Sequence, residues 1–241
     1  MQAMDTNVMT EAGVVKRFGR KTVLDGLDWA VPRGSVVGLL GANGAGKTTL
    51  IKCLLGLLRP QAGECRIFGE TSWTLSAEAK ARIGYVAQVP YAYPWMTVGQ
   101  WIRYTASFYP AWNDALIDRL AREWDVTMAD RMGKLSPGQL QRAAILLALG
   151  HEPELLVLDE PAASLDPAAR RDFLQVIVEL AGRGDRTVLF STHITSDLER
   201  VADRVAFLKG GRIVHFGLLD ELKDRMQLNL EDSFLEMHRH V

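Results

Sequence analysis

The residues Gly41-Ala42-Asn43-Gly44-Ala45-Gly46-Lys47-Thr48 spell G-x-x-x-x-G-K-[ST], a spacing built for phosphate chemistry. Glycines let the backbone curl so that successive N–H groups point inward at phosphate oxygens. A helix opening near Lys47 adds the partial positive charge of its N-terminus. Lys47 supplies a point charge between β- and γ-phosphates, the Thr48 hydroxyl is placed to ligate Mg2+, and Thr49 follows in the same turn. A second signature is Leu155-Leu156-Val157-Leu158-Asp159-Glu160-Pro161, an apolar run ending in two carboxylates. In open α/β sheets, ligands sit beyond the carboxyl ends of parallel strands. Asp159 there would hold Mg2+, usually through water, and Glu160 would orient and deprotonate a water for attack on the γ-phosphate. Each signature has a plainer alternative, a glycine-rich turn with a chance lysine or a strand ending in solvated acids. Occurring in one chain, they predict binding and hydrolysis of ATP.

Elements must deliver these groups to one place. Ser35–Leu40, Ile83–Ala87, Leu155–Leu158 and Thr187–Ser191 are short, nearly continuous apolar runs, as strands buried on both faces should be. The segments Thr22–Val31 and Glu64–Phe68 alternate more and predict an antiparallel flank. Val205–Leu208 and Arg212–Phe216 bracket Lys209-Gly210-Gly211, a hairpin turn. Asp166-Pro167 opens a helix with an acidic cap and proline at the first position; its stripe is Phe173, Ile177 and Leu180, and Gly182 closes it. The long stretch Val89–Gly150 reads mostly helical, too long for a loop. The expected architecture is therefore α/β: a P-loop NTPase core with a parallel sheet, an antiparallel β flank and an inserted helical subdomain. Residues 1–88 and 151–241 form the RecA-like core and flank, 89–150 the helical subdomain, and 217–241 a tail whose Met226–Phe234 segment folds back on the body.

The run Leu135-Ser136-Pro137-Gly138-Gln139-Leu140-Gln141-Arg142 resembles the signature motif of the ABC ATPases, the nucleotide-binding subunits of ATP-binding-cassette transporters. The similarity extends from about Val14 to Leu235 with every motif in order. The resemblance implies that Phe18 stacks on adenine, that Gln88 touches Mg2+ and senses a membrane partner, and that His193 contacts the γ-phosphate. It also implies that Ser136 and Gly138, with Gln139 beside them, reach the γ-phosphate of ATP held by the opposite subunit. Asp166, in Ala163-Ser164-Leu165-Asp166, would lie in a loop that crosses the dimer interface. The departure is Pro137, where the family more often has glycine; proline removes one backbone donor. Serine cap, first-position proline and third-position glutamine nevertheless read as a well-formed helix start. With all catalytic positions on one chain, a homodimer with two competent sites is expected, a heterodimer being the alternative.

With 28 basic and 29 acidic side chains, the chain lacks the basic excess of a nucleic-acid binder, and no nucleic-acid partner is expected. Two cysteines, Cys53 and Cys65, make neither a disulfide framework nor a zinc site unaided. MQAMDTNVMTEA reads as no signal peptide, and no apolar run approaches the ~18–20 residues of a membrane span. The resemblance therefore places the chain at the cytoplasmic face of the membrane, held by a multi-span membrane subunit docked on the helical subdomain. Aromatics crowd Tyr91–Trp112: Trp101, Tyr104 and Phe108 share a helical face and read either as that subdomain's core or as surface. Tyr91, Tyr93 and Trp95, between Pro90 and Pro94, read as an exposed loop suited to a groove receiving a short helix of the membrane subunit. FYPAWN, the stretch from FSTHIT to GGRIV, and LEDSFLEM resemble exporter-type ATPases of bacterial drug, peptide and antibiotic-resistance systems. The little chain left after Phe216 points the same way, and the Met237–His240 ending reads as an incidental polar tail rather than a metal site.

Overall fold

A computed structural model describes residues 6–163, 165–181 and 186–226. The strands are β1 (Asn7–Phe18), β2 (Lys21–Pro32), β3 (Val36–Leu40), β4 (Ala62–Ile67), β5 (Glu70–Thr71), β6 (Ile83–Val86), β7 (Leu155–Asp159), β8 (Thr187–Thr192), β9 (Arg204–Lys209) and β10 (Arg212–Leu218). The helices are α1 (Lys47–Leu54), α2 (Ala77–Ala81), α3 (Val98–Ala106), α4 (Asp114–Glu123), α5 (Pro137–Leu149), α6 (Pro167–Ala181), α7 (Thr195–Val201) and α8 (Leu219–Met226). Two sheets result: a four-stranded antiparallel sheet ordered β2-β1-β4-β5, and a six-stranded sheet ordered β10-β9-β3-β8-β7-β6. In the second, only the β9–β10 pair is antiparallel.

The two-residue period of the central strands sorts their side chains into two separate cores. Val36, Leu40, Leu156, Leu158, Val188, Phe190, Val205 and Phe207 face one way, into a cluster completed by residues of α3 to α7. Val37, Leu39, Leu155, Val157, Leu189, Ala206 and Leu208 face the other, against Leu50, Ile51 and Leu54 of α1 and the inner face of the antiparallel sheet. Both faces of β3, β7 and β8 are fully covered, which is why these runs are continuously apolar. Gly38 is needed in β3 because a Cβ there would fall 1.8 Å from Leu198 Cδ2 of α7.

The hairpin turn lies at Gly210-Gly211, both with positive φ as a two-residue turn demands. Asp166 caps α6, its Oδ1 accepting from the N–H groups of Ala168 and Ala169 at 3.0 Å each. β1 is among the elements not named from the sequence: the segment around Asn7–Phe18 is an inner strand of the antiparallel sheet, paired with β2 and β4. Between residues 89 and 150 the chain forms α3, α4 and α5. There α3 buries Val98 and Ile102, one turn apart, and leaves Tyr104 43% exposed, while Phe108, just past its end, is 67% exposed. Trp101 alone of the expected stripe packs partly on the core, so the stripe is surface rather than the heart of the helices. Ser164, the Leu180 side chain, the stop at Gly182, the Met226–Phe234 fold-back and the Met237–His240 ending lie outside the described residues.

Candidate functional site

The carboxyl ends of β3, β8 and β7, three neighbouring parallel strands, converge on one cavity. After β3 the chain turns through Gly44 and Gly46, with φ of 79° and 108°, conformations that only glycine adopts freely. Gly46 is also the N-cap of α1, and a Cβ on it would meet Val23 Cγ1 of β2 at 3.0 Å. The phosphate loop is thus clamped against the antiparallel sheet. Lys47, the first residue of α1, folds back over the loop. Its ammonium donates to the Gly41 carbonyl at 2.7 Å and the Ala42 carbonyl at 3.2 Å, and stands 3.0 Å from Glu160 Oε1. Three donors meet three acceptors.

β7 and β8 are in register at Asp159 and Ser191, which lets one hydroxyl hold the Asp159 carboxylate and the Glu160 backbone together. Ser191 Oγ donates to Asp159 Oδ1 at 2.7 Å and accepts the Glu160 N–H at 2.9 Å. Glu160 leaves the strand with φ 46°, a left-handed conformation that costs a non-glycine residue roughly 1–3 kcal/mol. The turn aims its carboxylate between two side chains: Oε1 faces Lys47, and Oε2 lies 3.0 Å from His193 Nδ1. Asp159 is fully buried, and its Oδ2 has no protein partner. On the adjacent strand, burial, with the Asp159 charge adding, pushes the Tyr85 phenol up to about 12, so it stays neutral.

The cavity, of about 730 Å³, is bordered by Phe18, Lys47, Thr48, Gln88, Glu160 and His193, together with Asn43, Gly44, Gly46 and Thr49. Phe18, at the end of β1, is half exposed, with the Lys16 ammonium over its ring at 5.2 Å from the centroid. The Thr48 hydroxyl and the Gln88 amide border the cavity, whereas Asp159, fully buried at the end of β7, does not; oxygen donors of this kind, its unsatisfied Oδ2 included, suit a hard divalent cation such as Mg2+, which takes few protein ligands and keeps water and phosphate. Gly41 and Ala45 belong to the same loop but do not border the cavity; the Gly41 carbonyl instead holds Lys47.

Ser136, Gly138, Gln139 and Asp166 are not brought to this cavity. Ser136 and Gln139, at the start of α5, and Asp166, at the start of α6, are exposed. Ser136 Oγ accepts the Gln139 N–H at 3.3 Å while Gln139 Oε1 accepts the Ser136 N–H at 2.9 Å, a reciprocal cap with Pro137 in the first turn of α5. Asp166 is exposed, and the N–H groups of Ala169 and Ala168 help hold its carboxyl below the usual carboxylate range. Lys21 and Val23 of β2 also border the cavity, and Ser191 ties its acids together; sequence reading missed all three. For Ser191 a signal existed, its place at a strand end two residues before His193.

A family profile described as ABC transporter matches residues 24–163, and a second, described as AAA domain, putative AbiEii toxin, Type IV TA system, overlaps it over residues 131–196. The chain is 37% identical over 206 residues to an uncharacterized ABC transporter ATP-binding protein of Nostoc sp., covering 83% of this chain and 61% of that one. It is 33% identical over 238 residues to the bacitracin transport ATP-binding protein BcrA of Bacillus licheniformis, covering 98% and 78%. It is 37% identical over 213 residues to the Nod factor export ATP-binding protein I of Burkholderia lata, covering 85% and 68%. Against its first relative the chain therefore spans 61% of the length, less than two thirds. Among solved structures, an ATP binding subunit of an ABC transporter superposes with a TM-score of 0.85 at 28% identity, covering 96% of this chain and 99% of that one. A bacterial Atm1-family ABC exporter with ATP bound superposes at 0.82 and 25%, covering 98% and 43%.

Sheet order, phosphate loop and structural likeness define the P-loop NTPase fold. Within it, the chain belongs to the ABC transporter family of ATP-binding proteins.

Proposed function

We propose that this chain is the ATP-hydrolysing motor subunit of a bacterial ABC exporter, working as one of a pair and coupled to a separate membrane subunit. The observation that carries hydrolysis is the Glu160 carboxylate, held at the mouth of the phosphate loop between Lys47 and His193. Thr48, Gln88 and Asp159 are the residues that would hold Mg2+, whose chemistry is to neutralise charge on the phosphate oxygens. Phe18 stacks on the adenine ring, and the N–H groups of the loop from Gly41 to Thr48, with the α1 N-terminus, cradle the phosphates. Lys47 leaves the carbonyls and Glu160 for the phosphates. Glu160, relieved of its cation, accepts the proton of the attacking water, and His193 steadies the γ-phosphate.

Ser136, Gly138, Gln139 and Asp166 sit on an outer surface away from this chain's own cavity, which supports their acting on ATP held by a second chain, identical or different. For the membrane subunit, the uncharged groove between β6, α3 and α5 is the docking place. It has a volume of about 240 Å³ and is lined by Val86, Pro90, Tyr91, Trp101, Thr105 and Tyr109. No helix among the described residues is long and apolar enough to cross a membrane. The exporter direction rests on relatives named for bacitracin transport and Nod factor export.

The test has two arms. ATP turnover of the full chain is compared with that of Glu160→Gln, and parent-level turnover in the variant ends the motor reading. Tagged chain is then recovered from native membranes. Co-purification of a multi-span membrane protein supports the transporter reading, whereas soluble partners alone move the chain to an accessory role in assembly or signalling.

A further inference from the structure

The loop that follows Glu160 and the loop that carries His193 are joined by an ion pair outside the cavity. Arg170 lies in the first turns of α6, which begins where the post-Glu160 loop ends at Asp166. Asp197 lies in the first turn of α7, which begins two residues after His193. The Arg170 guanidinium grips Asp197 with two bonds, Nε to Oδ1 at 2.7 Å and Nη2 to Oδ2 at 2.6 Å. Asp197 is only 4% exposed, so the pair works in a medium that screens it little. Between the two loops the free space is about 10 Å³, at the limit for one water, so the residues after Glu160 and those from Ser191 to Asp197 pack closely. At this same N-terminal end α6 is tied to the helix that bears Ser136: Arg142 of α5 reaches Asp166 Oδ2 at 3.6 Å and donates to the Trp124 carbonyl at 2.7 Å.

We infer that Arg170 and Asp197 are positioning residues for His193, fixing its imidazole against Glu160 and making its placement depend on the loop at Asp166. The inference rests on the proposed roles of Glu160 and His193 in hydrolysis. A lysine at position 170 keeps the charge but not the planar fork, so the pair would survive while its geometry loosens.

A double-mutant cycle on the full chain tests this by steady-state ATP turnover: Arg170→Lys, His193→Ala, and both together. Arg170→Lys is expected to lower kcat by about tenfold and leave the KM for ATP within about threefold. In the His193→Ala background the same change lowers kcat by less than about twofold, because the residue it positions is gone. An equal loss in both backgrounds, or an unchanged kcat in folded Arg170→Lys, overturns the inference. A second readout needs no turnover. In nucleotide-free Asp197→Asn, the ring nitrogen signals of His193 in 15N NMR are expected to shift from the parent's, and unchanged signals overturn it. If His193→Ala alone retains the parent's kcat, the underlying reading of the histidine fails first, and that result is distinct from a failure at Arg170.

Discussion

Lys47 Nζ and Glu160 Oε1 stand 3.0 Å apart, with side chains only 4% and 9% exposed. The cation of the loop and the candidate base therefore neutralise each other in this structure. The pair is buried, so removing one member leaves a charge without its counter-charge. Glu160→Gln is expected to slow hydrolysis by ~10²-fold or more. It should raise ADP affinity a few-fold as well, since Lys47 no longer has to leave a carboxylate. Calorimetric ADP titration beside the turnover assay checks both, and weaker ADP binding in the variant would contradict the competition.

Lys47→Ala removes the shared cation from both partners. Nucleotide binding should fall by about 100-fold or more, and the melting temperature should drop because Glu160 is left buried opposite the Gly41 and Ala42 carbonyls. Fluorescent-nucleotide binding and a thermal melt on one preparation separate the two effects.

The antiparallel sheet contains a pH-dependent weakness far from the phosphates. Glu11 of β1 is paired in register with Trp29 on one side and Cys65 on the other, and both its carboxylate oxygens are buried without a hydrogen-bond partner. Burial pushes its carboxyl up to about 8. In the unfolded chain the same group ionises near its ordinary value of about 4.5. A raised folded value means that folding holds a proton which the unfolded chain has released. The stabilising contribution is thus fully present below about pH 4.5 and is lost as pH rises toward about 8, on the order of a few kcal/mol in all. Urea unfolding at pH 5.5 and pH 8 should show the loss in the parent chain, and Glu11→Gln should flatten that part of it.

At the start of α5, stability and activity should separate. Ser136→Ala removes a solvent-exposed cap and should cost about 1 kcal/mol. If Ser136 serves the opposite chain's phosphate, turnover should fall by ~10-fold or more, well beyond what the lost cap explains. Pro137→Gly should leave turnover close to the parent's, because the Ser136–Gln139 cap does not depend on proline. Urea melts and turnover assays on both variants give the comparison.

Tyr91, 80% exposed on the lip of the groove, should contribute little to folding. Tyr91→Ala is expected to keep the parent's melting temperature and nucleotide affinity. It should weaken recovery of the membrane subunit by about tenfold, as loss of an aromatic anchor does. Undiminished recovery would move the docking place elsewhere.

Much of this was legible in single segments. The loop Gly41–Thr48, the reciprocal cap of Ser136 and Gln139, the Asp166 cap and the Gly210-Gly211 turn are local: residues a few positions apart satisfy one another's backbone, so spacing alone predicts them. Buried parallel strands were legible for a related reason, since both faces of β3, β7 and β8 must be apolar. Other features exist only because the sheet order lays β3, β8 and β7 side by side. The order brings Lys47, Glu160 and His193 together, lets Ser191 bond both Asp159 and the Glu160 backbone, and pairs Arg170 with Asp197. Whether an aromatic on α3 is core or surface, and that Glu11 is buried at all, were likewise decided by what packs against each face. Hydrophobic periodicity tells which side chains share a face, but only the tertiary arrangement says what that face meets.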